Sequence, residues 1–139
     1  MKTAIFSGRF DPVHLGHVLT ILKLLDRFDR VVVVILDYPE REGCTAQEAF
    51  DIFQSVFIHI SSPRMITLII NKDHFATISR EQYLDLIKTV GAKNDGVVYV
   101  SGNRKVLDNF QHMDLPWEYI PRSREYSGTE ERRRIHDAG

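Results

Sequence analysis

The chain has 139 residues, 43% hydrophobic and 27% charged, which suits a single domain with a buried core and a polar surface. Its formal net charge of -1 argues against a nucleic-acid coat or a membrane-surface role. The single cysteine, Cys44, excludes an internal disulfide and fits a reducing compartment.

The N-terminus lacks a signal-peptide pattern, and the longest apolar run, 31–36, is too short to span a bilayer, so a cytoplasmic protein is expected. Residues 3–6 read as a first strand. The run Gly8-Arg9-Phe10-Asp11-Pro12-Val13-His14-Leu15-Gly16-His17 follows at once and leads into a helix over 15–28. The apolar stripe of that helix is expected at Val18, Leu22, Leu25 and Phe28 or their neighbours. Residues 30–36 read as a second strand, a continuous run rich in β-branched residues after Arg30, the pattern of a central parallel strand covered on both faces. Residues 37–44 are polar, contain Pro39 and Gly43, and read as a loop. Thr45 then caps a second helix, with Glu48 three residues on as in a capping box, and Phe50, Phe53, Phe57 and Ile60 mark its buried side.

Residues 66–70 read as a third strand. Ser79 caps a helix that runs to Val90 and stops before Gly91, with a stripe of Tyr83, Leu84, Ile87 and Val90. Residues 97–100 are a fourth strand that ends in Ser101-Gly102-Asn103, residues 105–110 a short helix, and residues 117–120 an edge strand between Pro116 and Pro121. Residues 128–136 read as a last helix. This alternation predicts an α/β fold: a single Rossmann-like, doubly wound domain over 1–139, with a five-stranded, mainly parallel sheet and helices on both faces. Ligands in such sheets bind beyond the C-terminal strand ends, where the strand order reverses.

His14 and His17 fall where the first strand gives way to a helix. The free N–H groups of a first helical turn and the positive end of its dipole favour an anion there. The spacing puts both imidazoles on one face of the first turn, and Gly16 lets the backbone approach a bulky ligand. Ordinary surface or core histidines, or a zinc pair, are the competing readings. The coincidence of the pair, the glycine, Pro12 and the strand-to-helix position weighs against the first, and the absence of a Cys or Glu ligand at zinc spacing against the second.

The run from Gly8 to His17 resembles the opening H-x-G-H loop of the nucleotidylyltransferase superfamily. Tyr126-Ser127-Gly128-Thr129-Glu130-Glu131-Arg132 resembles its C-terminal S-[GST]-T-x-x-R signature. The stretch from Val98 to Arg134, with Ser101-Gly102-Asn103, is most similar to the archaeal-type nicotinamide mononucleotide adenylyltransferases. The resemblance implies transfer of a nucleoside monophosphate from a nucleoside triphosphate to a phosphate-bearing acceptor, with pyrophosphate leaving. His14, His17 and Arg132 would then be catalytic, the histidines at the α-phosphate and its bridging oxygens. Ser7, Gly8, Arg9, Phe10, Gly16, Ser101, Gly102, Asn103, Tyr126, Ser127, Gly128 and Thr129 would bind the nucleotide. Mg²⁺ would arrive on the triphosphate, held by phosphate oxygens and water with no dedicated protein ligand. Asp11 either touches that water shell or is a turn residue before Pro12.

The adenylyl branch opens its second helix with Thr-Ala-Gly-Glu-Arg. This chain has Thr45-Ala46-Gln47-Glu48-Ala49, without the arginine. Arg41 and Lys72 are the candidates to hold the acceptor in its place. The implied partners are small molecules, a nucleoside triphosphate and a phosphorylated acceptor, with no nucleic acid and no membrane; homo-oligomerisation is left open. ATP with nicotinamide mononucleotide is the first reading. CTP with an alcohol or sugar phosphate is the second, and a nucleotide-binding regulatory module with little or no turnover the third.

Overall fold

A computed structural model describes residues 2–60, 64–91, 96–102, 107–108 and 114–120. The elements in chain order are β1 (Thr3–Gly8), α1 (Leu15–Arg27), β2 (Arg30–Asp37), α2 (Ala46–Val56), β3 (Met65–Asn71), α3 (Lys72–Ala76), α4 (Arg80–Thr89), β4 (Val97–Ser101) and β5 (Trp117–Tyr119). The five strands form one sheet in the order β3-β2-β1-β4-β5, and every pairing is parallel. The expected "mainly parallel" sheet is therefore parallel throughout, with its fifth strand at an edge. The strand order reverses between β1 and β4, so the crevice at their C-terminal ends is the place for a ligand.

Strand alternation separates two cores. Ala4, Phe6, Val31, Val33 and Ile35 face α1 and α2, while Ile5, Val32 and Val34 face α3 and α4. Val31 through Ile35 are fully buried, as an interior strand with helices on both sides requires. Two helix starts follow the sequence closely. Thr45 accepts from the Glu48 N–H and Glu48 from the Thr45 N–H, both at 3.0 Å. Ser79 and Gln82 form the equivalent box on α4. Gly91 has φ of +78° beyond the end of α4, the left-handed conformation that favours glycine there.

The structure revises three expectations. β1 runs on through Ser7 and Gly8, because both pair with β2. The buried face of α1 is Ile21, Leu24, Leu25 and its C-cap Phe28; Leu22 is exposed with Leu15 and Leu19. The apolar residues of α1 outnumber one stripe, and contact with β2 decides which stripe turns inward. The short helix α3 follows β3 directly, with Asn71 accepting from the His74 N–H. The expected last helix lies outside the described residues, as do four of the six residues of the short helix over 105–110; residues 107–108 are helical and Leu107 packs into the α4 core.

Candidate active site

The opening motif lies over the C-terminal end of β1, beside the reversal of strand order. His14 is the N-cap of α1 and His17 its third residue. Their rings stack with centroids 3.6 Å apart. The His14 N–H donates to His17 Nδ1 at 3.1 Å. A ring nitrogen that accepts carries no proton, so the neutral His17 ring holds its proton on Nε2. One backbone bond thus fixes the tautomer of the neutral ring. The edge of Phe10 packs against the same ring, with centroids 4.8 Å apart.

Phe10 itself is 2% exposed and packs edge-on against Phe6 and Phe53. Its φ is +48°, the left-handed region that non-glycine residues seldom adopt. The buried ring holds that conformation from below. Its carbonyl is held from the side, accepting from Arg41 Nη2 at 2.7 Å and from Cys44 Sγ at 3.3 Å. The sharp reversal turns the chain from β1 toward α1. The Phe10 side chain is thus a buried support for His17 and presents no face to a nucleotide.

Two charged residues lock this loop to the one after β2. Asp11 is 1% exposed. Its carboxylate accepts from the Tyr38 hydroxyl and from the N–H groups of Glu42, Gly43 and Cys44. Burial alone would raise its pKa, but these hydrogen bonds outweigh it and hold the carboxyl below the usual value. Arg41 is the reciprocal clamp. It donates to the carbonyls of Arg9, Phe10, Leu36 and Cys44 at 2.7–2.9 Å. Its guanidinium fork is committed to these backbone carbonyls. Asp11 resolves as the loop latch. Gly43 closes the contact: a Cβ there would lie 2.5 Å from Pro12 N and Cδ.

Ser7 is 8% exposed and its hydroxyl bonds that of Tyr99. Tyr99 also bonds the Ser101 side chain; burial pushes its phenol well above the usual range, and the two serines pull it partly back. Ser101 is itself 4% exposed, so this network ties the ends of β1 and β4 beneath the crevice. Gly102 is half-buried at the end of β4, and Gly16 half-buried in the first turn of α1. Arg9 is exposed and Lys72 half-buried, both beside the Tyr38 ring. Position 49, where an arginine was expected from the resemblance, is fully buried against Phe53 in the α1–α2 core. Asn103, Tyr126, Ser127, Gly128, Thr129 and Arg132 lie outside the described residues.

Sequence reasoning missed Tyr38, Gly43 and Tyr99. A glycine two residues before a capping threonine was the available hint for Gly43. Nothing in the local pattern marks the tyrosines, whose partners are 27 and 92 residues away. Among the described residues no helix is long and apolar enough to cross a membrane, and no group of three acidic, histidine or cysteine side chains is placed to hold a metal.

A family model described as cytidylyltransferase-like matches residues 5–134. Among solved structures, a bifunctional NMN adenylyltransferase/ADP ribose pyrophosphatase from Francisella tularensis superposes with a TM-score of 0.72 at 17% identity, covering 99% of this chain and 43% of that one. A nicotinate-nucleotide adenylyltransferase, so described provisionally, from Vibrio parahaemolyticus gives a TM-score of 0.63 at 20% identity, covering 99% of this chain and 89% of that one. This chain therefore spans less than half the length of the bifunctional protein. At such identities both likenesses are likenesses of fold.

Proposed function

This chain belongs to the cytidylyltransferase-like family, and from that premise we propose that it is a nucleotidyltransferase acting from a nucleoside triphosphate, ATP in preference to CTP, on a phosphate-bearing acceptor such as nicotinamide mononucleotide. The observation that carries the reading is the stacked pair of His14 and His17 at the N-terminus of α1, over the C-terminal end of β1, with His17 Nδ1 held by the His14 N–H. In the reaction an acceptor phosphate oxygen bonds to the α-phosphorus. The bond from that phosphorus to the α–β bridging oxygen breaks, and pyrophosphate leaves with the electron pair. The nucleophile is already ionised near neutral pH, so no general base is needed. The protein's work is alignment and neutralisation of charge as it builds on the α-phosphate.

His17 Nε2–H donates to that charge, and the stacked His14 ring shares the first turn of α1. Ser127, Thr129 and Arg132 hold the β- and γ-phosphates, by resemblance to the family's C-terminal signature. Mg²⁺, arriving with the triphosphate, would supply charge neutralisation there. The carboxylate nearest the histidines in sequence, Asp11, is committed to Tyr38 and the 42–44 backbone, which favours an ion held by phosphate oxygens and water. The preference for ATP and a nicotinamide-type acceptor is supported by Arg9, Ser101-Gly102-Asn103 and Tyr126-Ser127-Gly128-Thr129, and by the adenylyltransferase names of the two structural neighbours.

The test is pyrophosphate release in a matrix of ATP, CTP, GTP and UTP, each with Mg²⁺, against nicotinamide mononucleotide and a panel of sugar and alcohol phosphates. A clear excess of kcat/KM for CTP with an alcohol or sugar phosphate overturns the adenylyl assignment. Nucleotide binding without pyrophosphate release from any pair overturns the enzyme and leaves a binding module.

A further inference from the structure

Three cations converge on the ring of Tyr38. The guanidinium carbons of Arg9 and Arg41 lie 5.9 and 5.4 Å from its centroid, and Lys72 Nζ lies 5.5 Å from it. The three are not equivalent. Arg41 is turned inward, its N–H groups donating to four backbone carbonyls. Among the described residues Arg9 and Lys72 have no side-chain hydrogen bond, and the ion pair found there, Arg27–Glu118, involves neither of them. Cations gathered around one ring repel each other, and the ring's π face offsets only part of that repulsion. An anion would offset the rest.

The place also suits one. Arg9 follows β1, Tyr38 follows β2 and Lys72 follows β3, so the cluster crosses three adjacent C-terminal strand ends. Beside it opens a pocket of about 470 Å³ that Tyr38 and Arg41 line on one side and the first turn of α2 on another. That volume falls in the usual range for a small ligand. Asp37, Thr45 and Gln47 offer it groups that hydrogen-bond hydroxyls, and Pro39 and Ile69 offer apolar surface.

We propose that Arg9 and Lys72, positioned by the Tyr38 ring, form a two-cation seat for a phosphate monoester, and that the adjoining pocket takes the sugar-like body attached to it. As the acceptor seat it rests on the nucleotidyl-transfer reading; as an anion site it stands on the cluster alone. It also explains how the chain manages with a buried alanine at position 49. The positive charge comes from the ends of β1 and β3, and Arg41, the third cation, serves as the clamp that keeps Arg9's backbone in place. Tyr38 is a positioning residue, its hydroxyl anchored on Asp11 and its ring against Arg9 and Lys72.

The test is calorimetric titration of the full chain with ribose 5-phosphate, ribose and inorganic phosphate, for wild type, Lys72→Gln, Arg9→Gln and Tyr38→Leu. Titrations with Mg²⁺–ATP and Mg²⁺–CTP run in parallel. Ribose 5-phosphate is expected to bind more tightly than inorganic phosphate, and ribose alone hardly at all. Lys72→Gln should weaken ribose 5-phosphate about tenfold, the loss of one charge-assisted contact, while nucleotide affinity stays within about twofold. Tyr38→Leu should weaken it similarly; if that variant unfolds, the lysine and arginine variants carry the test. The seat is overturned if wild type fails to bind ribose 5-phosphate at millimolar concentration, if both cation variants bind it as wild type does, or if inorganic phosphate binds equally well. Failure of both nucleotides to bind, with the ribose 5-phosphate results as expected, overturns the nucleotidyl-transfer reading and supports the seat as an anion site.

Discussion

Replacing Asp11 with alanine removes the acceptor for four donors at once. The carboxylate is buried and receives the Tyr38 hydroxyl and three successive backbone N–H groups. A hydrogen bond to a charged group contributes about 1.5–3 kcal/mol, but Glu42 is exposed and Gly43 and Cys44 are half-buried, so water replaces part of what is lost. The net cost is therefore expected in the range for a broken buried charge network, about 3–5 kcal/mol. In a domain of this size that lowers Tm by roughly 10–15 °C. The effect also has a pH signature. Burial raises the Asp11 pKa, the hydrogen bonds from Tyr38, Glu42, Cys44 and Gly43 lower it further, and the folded value ends below the unfolded one. Its stabilisation is then fully present above the ordinary carboxylate value, near about 4, and is lost as pH falls through the folded value. Urea unfolding followed by circular dichroism, from neutral pH down to about 3.5, measures both effects. The difference between wild type and Asp11→Ala should be constant from neutral pH to about 5 and narrow below about 4. A neutral-pH difference under about 1 kcal/mol, or one that stays constant through the acid range, would refute the latch.

Three further outcomes follow from the same geometry. His17→Ala should lower kcat by about a hundredfold or more with little change in Tm, because it removes a positioned donor at developing charge; a fully active or unfolded variant would make His17 structural. Gly43→Ala puts a Cβ 2.5 Å from the Pro12 backbone, so it should destabilise by about 2 kcal/mol or more in thermal unfolding, whereas an unchanged Tm would mean that the two loops are not in contact. Arg132→Ala should weaken Mg²⁺–triphosphate binding several-fold more than Arg134→Ala in equilibrium titration, and equal effects would indicate a diffuse basic surface.

The fold class and the place of the histidines were legible in the chain because both rest on short-range signals. Unbroken apolar runs mark strands buried on two faces, capping boxes at Thr45 and Ser79 mark helix starts, and His14 and His17 are close in sequence as well as in space. The family resemblance was legible too, since it was read from short local runs. Only the tertiary structure decided what Arg41, Asp11 and Phe10 do. Each is a charged or aromatic residue in a loop at the C-terminal strand ends, and each reads locally as a ligand contact. Their partners lie on other elements: Arg41 reaches back to the β1 loop, Asp11 forward to the β2 loop, and Phe10 down to Phe53 on α2. The same distance hid Tyr38, because a ring becomes a platform for Arg9 and Lys72 only when three strand ends meet. Local pattern fixes which groups a segment offers. Which of them remain open to a ligand depends on the buried polar groups elsewhere that also need a partner, and that is settled when the sheet assembles.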